Sequence, residues 1–82
     1  MEFVFKKSTR KYKKYMVYVP KIDKWVHFGD SRYQQFIDST PLKLYSYLDH
    51  NDPERRKRYK QRHEKTRHKK YSPSWFADQY LW

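Results

Sequence analysis

Residues 12–29 read YKKYMVYVPKIDKWVHFG, and this stretch decides the fold. From Tyr12 to Val19 the chain is rich in aromatic and β-branched residues, the composition of a strand, and Pro20 closes it. Lys21-Ile22-Asp23-Lys24 reads as a turn, and Trp25-Val26-His27-Phe28 answers as the return strand. Alternation places Trp25 and His27 on one face and Val26 and Phe28 on the other. Gly29 is the only glycine in the chain. It belongs where the backbone needs a positive φ as the hairpin leaves the sheet. On the N-terminal side, Phe3-Val4-Phe5 can add a third strand, separated from the hairpin by the polar Lys6–Lys11. Residues 1–29 are therefore expected to form an antiparallel hairpin or a three-stranded sheet.

Helical signals follow. Within residues 30–50, Ser31–Ile37 can form two turns presenting Tyr33, Phe36 and Ile37 on one side. Pro41 then starts a second short segment in which Leu44, Tyr45 and Leu48 are spaced to face a core. Asn51 and Asp52 are good N-cap residues, Pro53 suits a first helical turn, and Glu54 favours the positive helix end. A basic helix is expected over 51–70, with Tyr59, His63 and Thr66 on a narrow strip resting on the hairpin. In the last segment, 71–82, Ser72-Pro73-Ser74 starts an aromatic helix in which Trp75 and Trp82, like Phe76 and Tyr80, share faces. The predicted fold is α+β, one domain over 1–82, with the sheet packed by three to four short helices.

Composition bounds this reading. Eighty-two residues lie near the lower end of what folds without covalent staples, and the chain has no cysteine to supply disulfides or zinc thiolates. Nine Tyr, five Phe and three Trp offer the compensation, since each buried ring removes about 150–250 Å² from water. No apolar run approaches a membrane span, and MEFVFKKSTRK has too short an apolar core for a signal peptide. The expectation is a soluble protein without membrane contact, intracellular or packaged inside a particle.

The charge is concentrated. Residues 53–70, PERRKRYKQRHEKTRHKK, hold ten of the twenty Lys and Arg against only Glu54 and Glu64. A solvated helix would carry Glu–Lys pairs along its faces; a block of one sign points to a polyanionic partner. Arg55, Arg58, Arg62, Lys65 and Lys69 follow a 3–4 spacing and should meet phosphates, with Arg56, Lys57, Lys60 and Arg67 extending the field. No base-reading signature is visible, so affinity should carry little sequence preference. Lys6, Lys7, Arg10, Lys11, Lys13 and Lys14, interleaved with Tyr12 and Tyr15, form a second patch of the kind that takes single strands by stacking bases on rings. The competing reading, favoured by the strand pattern, is that these tyrosines pack the hairpin.

His27-Phe28-Gly29-Asp30, Tyr33-Gln34-Gln35-Phe36-Ile37-Asp38, Leu44-Tyr45-Ser46, Asp49-His50-Asn51-Asp52, Arg55-Arg56, Tyr59, Arg62-His63, Tyr71-Ser72-Pro73-Ser74-Trp75-Phe76 and Tyr80-Leu81-Trp82 occur in that order. This string, covering roughly residues 12 to 82, resembles the small basic proteins of large and giant DNA viruses of eukaryotes, with relatives in some phages. The resemblance implies a viral origin and a hairpin followed by helices. It implies no catalytic activity, and Phe3-Val4-Phe5 lies outside it.

Other chemistry finds little support. His63 and His68 stand one residue too far apart for a zincin pair on one helical face. His50 with Asp49 and Asp52 offers a possible cation site or nuclease-like turn, but the downstream Asn that a nuclease of that type needs is missing, and capping of the basic helix explains these residues better. No nucleophile has a Gly-bounded elbow, and a single glycine makes no phosphate-cradling loop. No enzyme activity, metal or cofactor is expected. The C-terminal Trp75, Phe76, Tyr80 and Trp82, with Leu81, either close the core or dock another protein. The leading expectation is non-catalytic binding of nucleic acid, DNA ahead of RNA, in viral genome packaging or regulation. The alternative is a virion structural or minor capsid protein docking through its aromatic C-terminus onto capsid proteins.

Overall fold

The computed structural model describes residues 3–82. Three strands, β1 (Val4–Lys7), β2 (Lys13–Val19) and β3 (Lys24–Asp30), form one antiparallel sheet in the order β1-β2-β3. Two α-helices follow, α1 (Pro53–Arg62) and α2 (Pro73–Tyr80), with a single 3-10 turn at Ser46–Leu48 before them. The class is α+β, as the alternation of apolar residues implies, and Phe3-Val4-Phe5 does supply a third strand from Val4 onward.

Register assigns the faces. Tyr15 pairs with Phe28 and Val17 with Val26, while Phe5 lies opposite Val17 across β1. One face therefore carries Phe5, Tyr15, Val17, Val19, Val26 and Phe28, and α2 packs against it. Phe28 stacks on Phe76 with ring centres 5.7 Å apart, and Phe5 meets Tyr80 edge-on at 4.8 Å. Tyr15, Val17, Val19, Phe28, Phe76 and Leu81 are the fully buried centre, so aromatic area does take the place of aliphatic bulk. The Val19–Lys24 turn is closed by Ile22 and Asp23 amides donating to the Val19 and Pro20 carbonyls, each at 3.2 Å. Gly29 has φ 78°, the left-handed geometry that L-residues avoid. Beside it the strand alternation breaks, because both Lys14 and Tyr15 are buried.

The two helices expected between residues 30 and 50 do not form; only Ser46–Leu48 makes a helical turn. The backbone of this segment bonds elsewhere. The Phe36 and Ile37 amides donate to the Leu81 carbonyl at 3.0 and 3.2 Å, Ser39 donates to Tyr80 at 2.8 Å, and His50 and Asn51 donate back to Gln35 and Phe36. Side chains compete too. Asp38 Oδ1 accepts from the Thr40 amide and hydroxyl at 3.0 and 2.6 Å, the local bonding that draws Asp and Thr out of helices. Lys43 at φ 50° interrupts the second expected helix. The basic helix also stops early, at Arg62 rather than near residue 70, and residues 63–71 continue as turns. The aromatic C-terminal helix forms as its cap foretells, with Ser72 Oγ accepting from the Trp75 amide at 3.1 Å.

Candidate nucleic-acid interface

The start of α1 is built by its own sequence. Asp52 Oδ1 accepts from the Glu54 amide at 2.9 Å and the Arg55 amide at 3.4 Å, while His50 Nδ1 accepts from the Asp52 amide at 2.9 Å. The capping role read from the sequence thus falls to Asp52, with His50 holding the cap residue's own amide, while Asp49 turns instead to Gln35 and the Asp38 amide. Pro53 and Glu54 fill the first turn, where a missing N–H and a negative charge fit the helix end.

From this helix the cations divide into two groups. Lys57, Arg58 and Arg62 are exposed and meet no acidic side chain among the described residues. Arg58 and Arg62 lie one turn apart and share a face. Arg55 is half-buried and donates to Gln34 Oε1 at 2.8 Å. The others serve the fold. Arg56 donates to the Trp82 carbonyl at 2.6 Å with its guanidinium 5.0 Å from the Phe36 ring centre. Lys60 pairs with Asp78 on α2 at 2.8 Å, and Arg67 pairs with Glu64 at 2.7 Å and with the same Asp78 at 3.6 Å. Lys65 and Lys69 are exposed, but they stand on the turns after α1 and do not continue its face as their spacing predicted.

Lys13 and Lys14, adjacent in sequence, have opposite fates. Lys13 is exposed at the start of β2. Lys14 is buried, donating to Gln35 Oε1, and its assignment to a phosphate-contacting patch is corrected by this burial. Desolvation lowers its pKa to about 8, against the opposing pull of Asp38, Asp30 and Asp49. It anchors a buried polar chain: Gln35 donates onward to the Tyr45 carbonyl at 2.8 Å and to Asp49 Oδ1 at 2.5 Å, and Asp49 also receives the Asp38 amide at 2.8 Å. Tyr15 is buried as well, so of the two tyrosines in the N-terminal patch only Tyr12 offers a ring to the outside.

The two basic segments of the sequence meet in space. Lys13, Asp30, Tyr33, Arg62 and His63 share the lining of one cleft of about 350 Å³ between the start of β2 and the helices. Burial, and then the neighbouring Arg62 charge, hold the His63 pKa below its ordinary value, so near neutrality its ring stays uncharged against Tyr59, 4.2 Å away. Arg32 was missed by the sequence reading, which absorbed it into an expected helix. Its guanidinium lies 4.4 Å from the Tyr12 ring centre and 5.5 Å from that of Tyr33, and it grips Asp30 with contacts of 2.8 and 3.1 Å. The Asp30 pKa is thereby lowered from its ordinary value, chiefly by the Arg32 side-chain hydrogen bonds.

The aromatic C-terminus faces inward. Phe76 is fully buried, and Trp75, Tyr80 and Trp82 are half-buried. Trp82 stacks on Tyr59 at 4.2 Å with the rings 4° from parallel, and Trp75 meets Phe3 edge-on at 6.5 Å. The reading of these four as a docking surface is corrected for Phe76, which is fully buried; Trp75, Tyr80 and Trp82 pack against the core and keep part of their surface outside. The Tyr59 strip accordingly rests on Trp82. Among the described residues, no group of three or more His, Asp or Glu side chains gathers closely enough to hold a metal ion, and no helix is long and apolar enough to cross a membrane.

Residues 3–63 match the model of a family of unknown function, DUF5754. The chain belongs to this family. The DUF5754 match takes in the whole sheet, the irregular segment and all of α1 with its C-cap His63, and α2 lies beyond it. No curated protein and no solved structure matches the chain.

Proposed function

We propose that this protein binds nucleic acid without catalysis, DNA ahead of RNA, by laying phosphates along the unpaired cations of α1 and the cleft beside it. One observation carries the reading. Arg58 and Arg62, like Lys57, stand exposed and without acidic partners among the described residues, on a helix whose Arg56 and Lys60 are committed to the fold, and Arg62 shares its cleft with Lys13 from the second basic segment. Lys60 and Arg67 have carboxylate partners; among the described residues Arg58 and Arg62 have none, on a chain of net charge +11. A phosphate backbone supplies the missing counter-charge and releases its own counterions in doing so. Contacts of this kind fix position on the backbone and read no sequence. In the viral setting that the sequence resemblance implies, the task is genome packaging or regulation of viral DNA.

Salt dependence tests the reading. The log–log slope of duplex DNA affinity against salt should be steep, and Arg58→Ala with Arg62→Ala should reduce it by about two, since each neutralised phosphate contributes about 0.9. Binding no tighter to DNA or RNA than to heparin, or a slope unmoved by the double substitution, would overturn it.

A further inference from the structure

The sheet has a second face, and the register fixes what it carries. Tyr18 pairs with Trp25, Met16 with His27, Val4 with Tyr18 and Lys6 with Met16. All of these point away from the core side. Trp25 is 40% exposed and Val4 52%. The rings of Tyr18 and Trp25 lie 5.4 Å apart at 56°, and the Lys6 ammonium sits 5.4 Å from the Trp25 ring centre. His27 bonds Ser8 at 2.7 Å and Tyr18 bonds Asp23 at 2.5 Å. Both partners come from the strand connections. Among the described residues, no side chain from the helices or the irregular segment bonds or stacks on this face.

A large ring left open on a sheet, with cations at its rim, is a surface for flat, electron-rich groups attached to negative charge. Every nucleobase has such a face, and stacking does not require a particular base. The rim is positive on two sides: Lys6 stands over the indole, and Arg10 follows the β1 strand end, its amide donating at 3.0 Å to the Ser8 hydroxyl that meets His27. A protein partner with an apolar patch would gain nothing from that charge. A duplex cannot use the rings, because its bases are stacked on one another and closed to a flat sheet.

Resting on the nucleic-acid reading above, we infer that the open sheet face is a separate single-strand site, where unpaired bases stack on Trp25 and Tyr18 while Lys6 and Arg10 take the adjoining phosphates. The α1 surface and this face then handle two forms of the same polymer, duplex backbone on one and exposed bases on the other.

The test compares an unstructured single-stranded oligonucleotide with a duplex of matched length, bound to the full chain and to Trp25→Leu. Leucine keeps apolar cover on the strand but has no π face. Single-strand affinity should fall about five- to a hundredfold, the range that stacking one base supports, with duplex affinity and its salt slope unchanged. Trp25→Phe should restore part of the loss, which also guards against a variant that merely misfolds. Equal losses for both forms, or no loss for single strands, overturn the single-strand site while leaving the α1 reading intact. No binding of either form by the unaltered chain defeats both. A shift of Trp25→Leu from dimer to monomer with single-strand affinity unchanged would assign the face to a second copy, and overturns the inference too.

Discussion

Lys60 of α1 and Asp78 of α2 are joined by an ion pair, Nζ to Oδ1 2.8 Å, in a chain where most cations face solvent. Arg67 approaches the same oxygen at 3.6 Å. One carboxylate, 9% exposed, therefore ties the basic helix and the turn after it to the helix that covers the sheet.

That tie separates stability from binding. Asp78→Ala should lower the unfolding free energy by about 1–2 kcal/mol, the range for a charged hydrogen bond partly screened by solvent. It also releases two cations, so duplex affinity should hold or rise. Urea denaturation and a binding isotherm on the same variant check the two halves. A fall in affinity matching the fall in stability would contradict the division of α1 into structural and unpaired cations.

Legibility in the sequence followed the range of the interactions. The hairpin was visible because alternation and β-branching are local, and Gly29 marked its exit. The caps at Asp52 and Ser72 were visible because each acts within three residues. The irregular middle was not. Tyr33, Phe36 and Ile37 have helical spacing, yet Phe36 and Ile37 donate their amides to Leu81, far along the chain. The charge spacing that runs on to Lys69 likewise concealed the end of α1. At His63 the chain turns, and Arg67 comes round to Asp78. Asp38, which no local pattern singles out, is a buried hub whose partners Tyr15 and Tyr45 lie outside any local window.

Asp38 should accordingly be the most sensitive acid in the chain. Its Oδ2 accepts from the Tyr15 hydroxyl at 2.5 Å and the Tyr45 amide at 3.1 Å, and its Oδ1 takes both donors of Thr40. Asp38→Ala strands these buried donors and should cost at least about 3 kcal/mol, since each bond to a charged group carries about 1.5–3 kcal/mol. Thermal melting would register the loss. A change within error of zero would mean the hub is replaced by water.

Gly29→Ala tests the sheet exit. A methyl group there would stand 2.9 Å from Leu81 Cδ1 and 3.1 Å from Lys14 Cβ, at a φ of 78° that alanine resists. Leu81 can yield by rotation, but Lys14 Cβ is fixed by its own strand. A loss of about 1–3 kcal/mol is expected, read from the denaturation midpoint. Indifference to the substitution would show that the strand can rotate locally without disturbing Lys14.

The alkaline side of the stability curve should have two slopes of opposite sign. Desolvation holds Lys14 at about 8 in the folded protein, against 10.5 for an ordinary lysine. Between those values the unfolded chain binds more protons than the folded one, so stability rises with pH. The full gain is up to about 3 kcal/mol, at about 1.4 kcal/mol per unit. Burial, mainly, pushes Tyr15 and Tyr59 up to about 12 from 10.0. Above about pH 10 the unfolded tyrosines ionise first, the folded state then holds more protons, and stability falls. The curve should climb from about pH 8, crest near pH 10 and then drop. Lys14→Met removes the climb and leaves the drop, whatever that substitution does to stability at neutral pH. Denaturant titrations at intervals from pH 7 to 11 decide the matter, and a climb that persists in Lys14→Met would show that another group is desolvated there.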